Sequence, residues 1–325
     1  RADVVGWPAI LGWNGYQVSA VSGDPTLAPY GLAAGFHRWD DAPELGPVPW
    51  LLEPIVAGGI DLGRFPRALG ADEVTDRALA VLGADPGGKA LLVVYGDAGG
   101  PFRHTDRELA DVGLTTRPWP ADDHDASLLR VDRAVGRLLE ELPKEAIVVV
   151  VGDRGVRGLE TRGPEQLWGH HLYPELTRVP LLLRTPASRA RRISTPVSLV
   201  DVGPTLLSQA GVPVPEAMSG VVLQGASGGP GEAERALLAS ATRYGPHRRA
   251  VRRGNYRLID LGDREALFDL GADPLQREAL GQEPALDGIR RELGALLPAD
   301  AADTTPVPMS TQLGRLFAAV VGGHR

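Results

Sequence analysis

Cysteine is absent from the 325-residue sequence. Its absence excludes a disulfide framework, catalysis by a thiol and a zinc site built on cysteine ligands. It does not by itself decide the compartment in which the protein works.

Two further features that would point to particular partners are also missing. The longest apolar runs, such as residues 90–94 and 147–151, are strand-sized and far shorter than the roughly 18 residues of a membrane span. The 34 basic and 41 acidic residues give a net charge of −7, and the arginines are scattered along the chain. The sequence therefore predicts neither a membrane span nor a nucleic-acid partner.

The length allows one large α/β domain and a smaller one, with enough apolar residues for a sizeable core. The sequence begins with Arg1 rather than Met. We therefore expect it to begin inside a longer polypeptide, so that a signal peptide or an upstream domain would not be visible in these residues.

The richest structural signals lie in residues 147–171. Five β-branched residues at 147–151 indicate a buried central strand covered on both faces, as in a parallel or mixed sheet flanked by helices. A glycine-rich turn leaves Asp153 and Arg154 at the carboxyl end of this strand, and a Gly-His-His segment containing His170 follows. Because ligands bind at that end of the strands in open α/β sheets, we expect the functional site here.

Hydrophobic periodicity predicts helices and strands on both sides of this stretch. Helices are predicted over residues 7–13, 72–82, 123–142, 198–211 and 287–297, and strands over residues 16–21, 90–95, 147–151 and 179–184. Residues 22–41, rich in glycine, proline and aspartate, are interpreted as a loop. Glycine-separated short strands at 237–242, 249–252, 256–260 and 266–269 predict a small antiparallel sheet.

The glycine-rich stretch at residues 225–235 is the best candidate for a domain boundary. We therefore predict an α/β domain over residues 1–224, with a mixed, mostly parallel sheet sandwiched by helices. A linker over 225–235 and a small antiparallel α+β subdomain over 236–325 complete the predicted organisation.

Several segments of the chain form a recognisable series. They are residues 35–41 (GFHRWDD), 72–79 (DEVTDRAL), 131–139 (VDRAVGRLL), 169–181 (GHHLYPELTRVPL), 196–207 (PVSLVDVGPTLL), 253–259 (RGNYRLI) and 267–274 (LFDLGADP). In sequence and in order, these segments resemble the sulfatases of the alkaline phosphatase superfamily. The resemblance extends over nearly the whole chain and implies an alkaline phosphatase/sulfatase-like fold.

The resemblance also implies an activity. Sulfatases of this kind hydrolyse sulfate esters with a divalent cation, usually calcium, and with a nucleophile formed from Cys or Ser in a Cys/Ser-x-Pro-x-Arg motif. It thus implies a metal-dependent sulfuric ester hydrolase acting on a sulfate- or phosphate-bearing small molecule or glycan. However, neither Ser22 nor Ser194 completes the nucleophile motif, and the paired N-terminal aspartates that serve the family as metal ligands are not visible in these residues.

Two departures from the family pattern lie inside the matching segments. The family's Asp-His pair at the strand end corresponds to Asp153-Arg154, and its substrate-facing His corresponds to Gly99. A guanidinium stays protonated and cannot ligate a cation, and its charge would repel a divalent ion nearby. Calcium also requires about six to eight oxygen ligands, of which this segment offers only Asp153. We therefore expect this chain not to bind the cation that the family implies.

Three residues remain as candidate site residues. Asp153 is the candidate metal ligand; alternatively it pairs with Arg154 or caps the next turn. Arg154 is the candidate substrate-binding residue, because a guanidinium can bind a sulfate or phosphate oxygen directly; alternatively it pairs with Glu160 or Asp97. His170, which matches the His of the family's Gly-His-Gly-like segment, is the candidate catalytic residue; alternatively it is held in structural hydrogen bonds.

Two hypotheses about function follow from the resemblance and the departures. In the first, the chain is part of a sulfatase-type ester hydrolase whose nucleophile and main metal ligands lie upstream of Arg1. In the second, it is a catalytically degenerate member that serves as a binding or structural module. The departures at Arg154 and Gly99 favour the second. Asp201 is interpreted as a helix-start residue without a catalytic role.

Overall fold

The computed structural model describes residues 5–24, 27, 31–41, 69–84, 87–97, 106–111, 113, 120–155, 172–223, 234–241 and 248–298. The described residues up to Ala146, together with Ala210–Pro213, form one compact unit. Those from Ile147 to Gln209 and from Val214 onward form a second. Most of the linker predicted at 225–235 lies outside the described residues, and the predicted domain boundaries stay a prediction.

The first unit contains a three-stranded parallel sheet with helices. Its elements in chain order are α1 (Trp7–Trp13), β1 (Gln17–Ser22), β2 (Arg38–Asp41), α2 (Ala71–Gly83), β3 (Lys89–Val94), α3 (Asp106–Asp111) and α4 (Pro120–Glu140). The strand order is β2-β1-β3, and both pairings are parallel. The predicted helices at 7–13, 72–82 and 123–142 and the strands at 16–21 and 90–95 are confirmed within a few residues.

The core of this unit lies between the central strand and the apolar stripe of α2. Val21 of β1 and Val74 and Ala78 of α2 have no exposed surface, and they pack in one cluster with Leu138 of α4. The apolar residues of α2 recur at helical spacing, so one face of the helix covers the sheet. Full burial of a valine side chain of this kind contributes about 1.5–3 kcal/mol.

The loop predicted over residues 22–41 is wrong at its end. Arg38–Asp41 form β2, which pairs with β1 in a register that runs from Ser19↔Arg38 to Ser22↔Asp41. Three of its four side chains are charged and none is fully buried, and Arg77 of α2 donates a hydrogen bond to Asp40 at 2.7 Å. Edge strands often carry charged side chains, so β2 shows no alternation of apolar and polar residues. It is held in the sheet by its pairing with β1.

The second unit contains two antiparallel arrangements. Its elements are β4 (Val148–Val151), α5 (Pro174–Thr177), β5 (Leu181–Arg184), a 3₁₀ turn (Leu199–Asp201) that leads into α6 (Val202–Gln209), β6 (Leu237–Ala241), β7 (Arg248–Arg253), β8 (Tyr256–Asp260), β9 (Glu265–Asp269), a 3₁₀ turn (Pro284–Leu286) and α7 (Asp287–Leu296). The strands predicted at 147–151 and 179–184 and the helices predicted at 198–211 and 287–297 are confirmed.

Burial of β4 on both faces, expected from its β-branched residues, is wrong. The strand pairs antiparallel with β5, from Val148↔Arg184 to Val151↔Leu181. Val151 is 40% exposed, and Leu182 on the partner strand is 60% exposed. The β-branched side chains favour extended backbone, but burial depends on what neighbouring elements cover them.

The C-terminal sheet has four antiparallel strands in the order β6-β7-β8-β9. Its two faces are both covered by apolar contacts, one with α7 and one with the segment that begins at Leu172. On the first face Val251, Leu258 and Leu267 pack with Leu293 of α7, and on the second Ala250, Ile259, Ala266 and Phe268 pack with Leu172. The predicted small antiparallel sheet is confirmed.

A parallel sheet with helices and a separate antiparallel C-terminal sheet confirm the predicted α/β fold class. In the part of the chain that the structure describes, no helix has the length and apolar character needed to cross a membrane.

Candidate functional site

The turn that follows β4 is held closely against the segment containing α5. The amide N–H of Gly152 donates to the carbonyl oxygen of Pro180 at 3.1 Å, and the N–H of Gly155 donates to that of Leu176 at 2.9 Å. A Cβ atom at Gly155 would lie 1.9 Å from the carbonyl oxygen of Glu175. Only glycine fits this close approach of two backbones, which places Asp153 and Arg154 at the end of the strand.

Asp153 and Arg154 form an ion pair in solvent. Arg154 Nη1 lies 3.4 Å from Asp153 Oδ2, and the two side chains are 49% and 84% exposed, respectively. An exposed pair of this kind contributes about 0–1 kcal/mol. The ion pair expected as the alternative to a functional role is therefore present, while the roles of Asp153 as metal ligand and Arg154 as substrate-binding residue stay predictions.

The described residues at this turn do not fit a divalent cation. Sulfatases generally use one, but within the described ranges no group of three or more His, Asp or Glu side chains is arranged to hold a metal ion. The carboxylate of Asp153 already faces the guanidinium of Arg154. His170 and Gly99 lie outside the described residues, so the catalytic role of His170 also stays a prediction.

A second aspartate follows a strand end in the first unit. Asp97, just beyond β3, is 4% exposed, and its Oδ1 lies 3.7 Å from Arg130 Nη1 of α4. Arg130 also donates two hydrogen bonds to Glu108 of α3, at 2.7 and 2.6 Å. The hydrogen bonds with Glu108 raise the pKa of Arg130, although burial acts to lower it.

Sequence reasoning named Asp97 as a partner for Arg154 but missed this cluster. Arg130 and Glu108 are 22 residues apart and lie on two different helices. Arg130 sits among the polar positions of an amphipathic helix, where most side chains face solvent. No local signal distinguishes it from its neighbours.

Asp201 is a fully buried carboxylate in the second unit. It accepts hydrogen bonds from the backbone N–H groups of Ser198 (2.8 Å) and Val221 (2.9 Å), and two from the guanidinium of Arg235. Burial alone would raise the pKa of Asp201, but the hydrogen bonds outweigh burial and lower it. The helix-start interpretation is confirmed by the capping bond to Ser198, whereas the pairing with Arg235 was not predicted.

Comparison with solved structures identifies the fold. A protein of the alkaline phosphatase superfamily from Vibrio parahaemolyticus superposes with a TM-score of 0.59 at 12% identity, over 86% of this chain and 64% of that one. A protein in complex with its substrate D-glucosamine-2-N,6-O-disulfate gives 0.64 at 18% identity, over 90% and 81% of the two chains. Ps i-CgsB in complex with k-i-k-neocarrahexaose gives 0.67 at 17% identity, over 97% and 80%. The chain thus has the fold of the alkaline phosphatase superfamily.

Sequence comparison narrows this class to one family. Residues 69–212 match the Sulfatase family, and residues 168–302 match the C-terminal region of N-sulphoglucosamine sulphohydrolase. Choline-sulfatase from Rhizobium meliloti is 30% identical over 171 residues, which are 49% of this chain and 32% of that protein. Human arylsulfatase K is 36% identical over 122 residues, 37% of this chain and 22% of that protein. The chain is thus similar to the sulfatase family over residues 69–302, and the matched part spans less than a third of these two relatives.

Proposed function

We propose that this chain is a sulfatase-family domain that binds sulfate-bearing ligands and is catalytically impaired as a sulfate ester hydrolase. The observation that carries the proposal is the Asp153-Arg154 pair at the end of β4, where the resemblance to sulfatases expects Asp-His. A guanidinium in this position attracts sulfate oxygens and repels a divalent cation.

The proposed ligand is a small molecule or glycan carrying sulfate or phosphate. Two proteins of the same fold were solved with a disulfated glucosamine and with a neocarrahexaose, which supports this class. In the proposal, Arg154 binds an oxygen of the anionic group. His170 is the residue on which any remaining turnover would depend, and Asp153 is a remnant of the metal site.

A metal-dependent sulfuric ester hydrolase is the second candidate function. It is favoured by the family match over residues 69–212 and by the sulfatase names of the relatives. It requires calcium or another divalent cation together with ligands and a nucleophile beyond the described residues. A third possibility, a purely structural module on this fold, would require neither cation nor ligand.

Calorimetry and turnover assays discriminate between these functions. We expect no saturable binding of Ca²⁺ or Mg²⁺ in the micromolar range, because Asp153 alone offers too few oxygen ligands. We also expect no turnover of aryl sulfates or aryl phosphates above the buffer rate. The Arg154→His variant, which restores the Asp-His pair, is the matched comparison and should bind cation more tightly than the unmodified chain.

Two results would establish the hydrolase instead. One is tight, saturable cation binding by the unmodified chain, and the other is turnover that disappears in His170→Ala. A purely structural role would be indicated if neither the unmodified chain nor Arg154→Gln bound a sulfated ligand in the titrations.

A further inference from the structure

Three arginines lie together where the C-terminal sheet meets the segment containing α5. Arg252 of β7 and Arg257 of β8 are directly opposite each other in the antiparallel register. Because side chains alternate along a strand, both share the face of Ala250 and Ile259, which packs against Leu172. Like charges directly opposite each other destabilise a sheet, so this arrangement calls for a compensating interaction.

Arg257 is a buried cation that is held by neutral groups. It is 8% exposed and donates hydrogen bonds to the carbonyl oxygen of Leu172 at 2.6 Å and to Thr177 Oγ1 at 3.2 Å. Burial, together with the charge of Arg252, lowers the pKa of Arg257 to about 10. Arg257 is therefore still charged at neutral pH, and within the described ranges no carboxylate forms an ion pair with it.

Arg252 and Arg178 extend this positive charge toward solvent. Arg252 is partly buried and Arg178, directly after α5, is exposed. Burial and the charge of Arg178 both lower the pKa of Arg252. Glu175 is the described carboxylate whose charge acts on Arg257. One carboxylate does not neutralise three guanidinium groups, so the cluster remains positive.

The arginine cluster and the candidate site both contact the segment that contains the short helix α5. The strand-end turn contacts this helix through the hydrogen bond from Gly155 to Leu176, and Arg257 binds Leu172 just before the helix and Thr177 at its last position. The turn with Asp153 and Arg154 and the cluster with Arg252 and Arg257 are therefore both held to the segment 172–178.

We propose that Arg178 and Arg252, with Arg257 fixed behind them, form a second anion-binding site that takes a sulfate, phosphate or carboxylate group. Guanidinium groups bind such oxygen anions through paired, charge-assisted hydrogen bonds. We assign this anion to the same ligand whose sulfate or phosphate group binds Arg154. This assignment rests on the proposed function above.

Titration of the full chain with inorganic sulfate tests the site itself. The variants Arg252→Gln and Arg178→Gln should each weaken binding by about tenfold or more, because each removes charge-assisted hydrogen bonds to the anion. The matched control is Arg253→Gln, which makes the same charge change on the opposite face of β7, where Arg253 pairs with Glu292 at 2.6 Å. The control should leave sulfate affinity within about twofold.

The stability of the variants guards against a trivial loss of binding. Arg252→Gln removes one of two facing like charges, so its melting temperature should equal or exceed that of the unmodified chain. No saturable sulfate binding by the unmodified chain, or an equal loss in Arg253→Gln, would overturn the site.

Sugars with one and two sulfates test whether the anion belongs to a larger ligand. We expect D-glucosamine-2-N,6-O-disulfate to bind more tightly than the 6-sulfate, and Arg252→Gln to abolish the difference. A difference that persists in Arg252→Gln would overturn the assignment to a second group of the ligand. If Arg154→Gln leaves the affinity for the monosulfated sugar unchanged while Arg252→Gln lowers inorganic sulfate affinity, the proposed function fails and the second anion site stands.

Discussion

Two of the strand ends that carry an aspartate, the one with Asp97 in the first unit and the one with Asp153 in the second, differ sharply in their surroundings. Asp97 after β3 is 4% exposed and lies beside Arg130, which in turn binds Glu108. Asp153 after β4 is 84% exposed and lies beside Arg154. In sequence the two look alike, since each follows an apolar strand and a glycine. The difference shows that a strand-end carboxylate becomes structural when helices from elsewhere in the chain supply a buried cation.

The largest expected effect comes from removing the cation of the buried cluster. Arg130→Ala leaves the buried carboxylate of Asp97 and the partly buried carboxylate of Glu108 without their guanidinium, and should lower the free energy of unfolding by about 3 kcal/mol. Urea denaturation measures this change. The control is Arg154→Ala at the exposed strand end, which should cost less than about 1 kcal/mol. Equal losses in the two variants would show that the two strand ends do not differ as described.

Asp201 extends the comparison to a fully buried carboxylate. Asp201→Asn keeps the shape of the side chain but weakens its bonds to Arg235, and should cost about 3 kcal/mol at neutral pH. The pKa of Asp201 is lowered in the folded state. Its contribution to stability is therefore fully present above the unfolded-state pKa of about 4 and is lost as the pH falls through the folded-state value.

Melting curves of both proteins between pH 6 and pH 2.5 test this dependence. The stability of the unmodified chain should fall more steeply below pH 4 than that of Asp201→Asn, so the gap between them should narrow in acid. A gap that stays constant with pH would mean that Asp201 is not an ionised partner of Arg235.

A smaller effect is expected from the backbone contact that shapes the exposed strand end. Gly155→Ala would place a Cβ atom 1.9 Å from the carbonyl oxygen of Glu175, and the forced shift should cost about 1–3 kcal/mol. Gly136→Ala in α4 is the matched control, because no atom other than those of its chain neighbours and the helix's own backbone lies within 4 Å of the added Cβ. Since alanine favours a helix, the control should be stabilised by up to about 1 kcal/mol. A neutral Gly155→Ala would show that the turn does not rest on α5 in solution.

The elements that sequence predicted well are those with a strong local period. The helical stripe of α2 and the β-branched run of β4 each indicated the right element, because side-chain spacing selects backbone conformation locally. The short strands β6–β9 were found from glycine spacing in the same way. The strand β2 was missed because its four residues, three charged and one tryptophan, carry no such period.

The candidate site was also predicted only in part: its local features were visible in the sequence, and its long-range contacts were not. The glycines around Asp153 and Arg154 revealed the strand end, and the resemblance to sulfatases identified what those positions correspond to. Arg130, Arg235 and Leu172, the partners of Asp97, Asp201 and Arg257 respectively, were not predicted. They lie 33 to 85 residues away in sequence from the residues that they contact.

The sequence by itself determined the fold class, the family resemblance and the departure at Arg154, since these depend on residue identity and local spacing. Only the tertiary structure decided which charges are buried and paired, because burial and pairing depend on distant segments that meet in space. That is why β4 looked fully buried in sequence and is partly exposed in the structure. For the same reason, no local pattern distinguishes Arg257, which is buried, from the exposed arginines elsewhere in the chain.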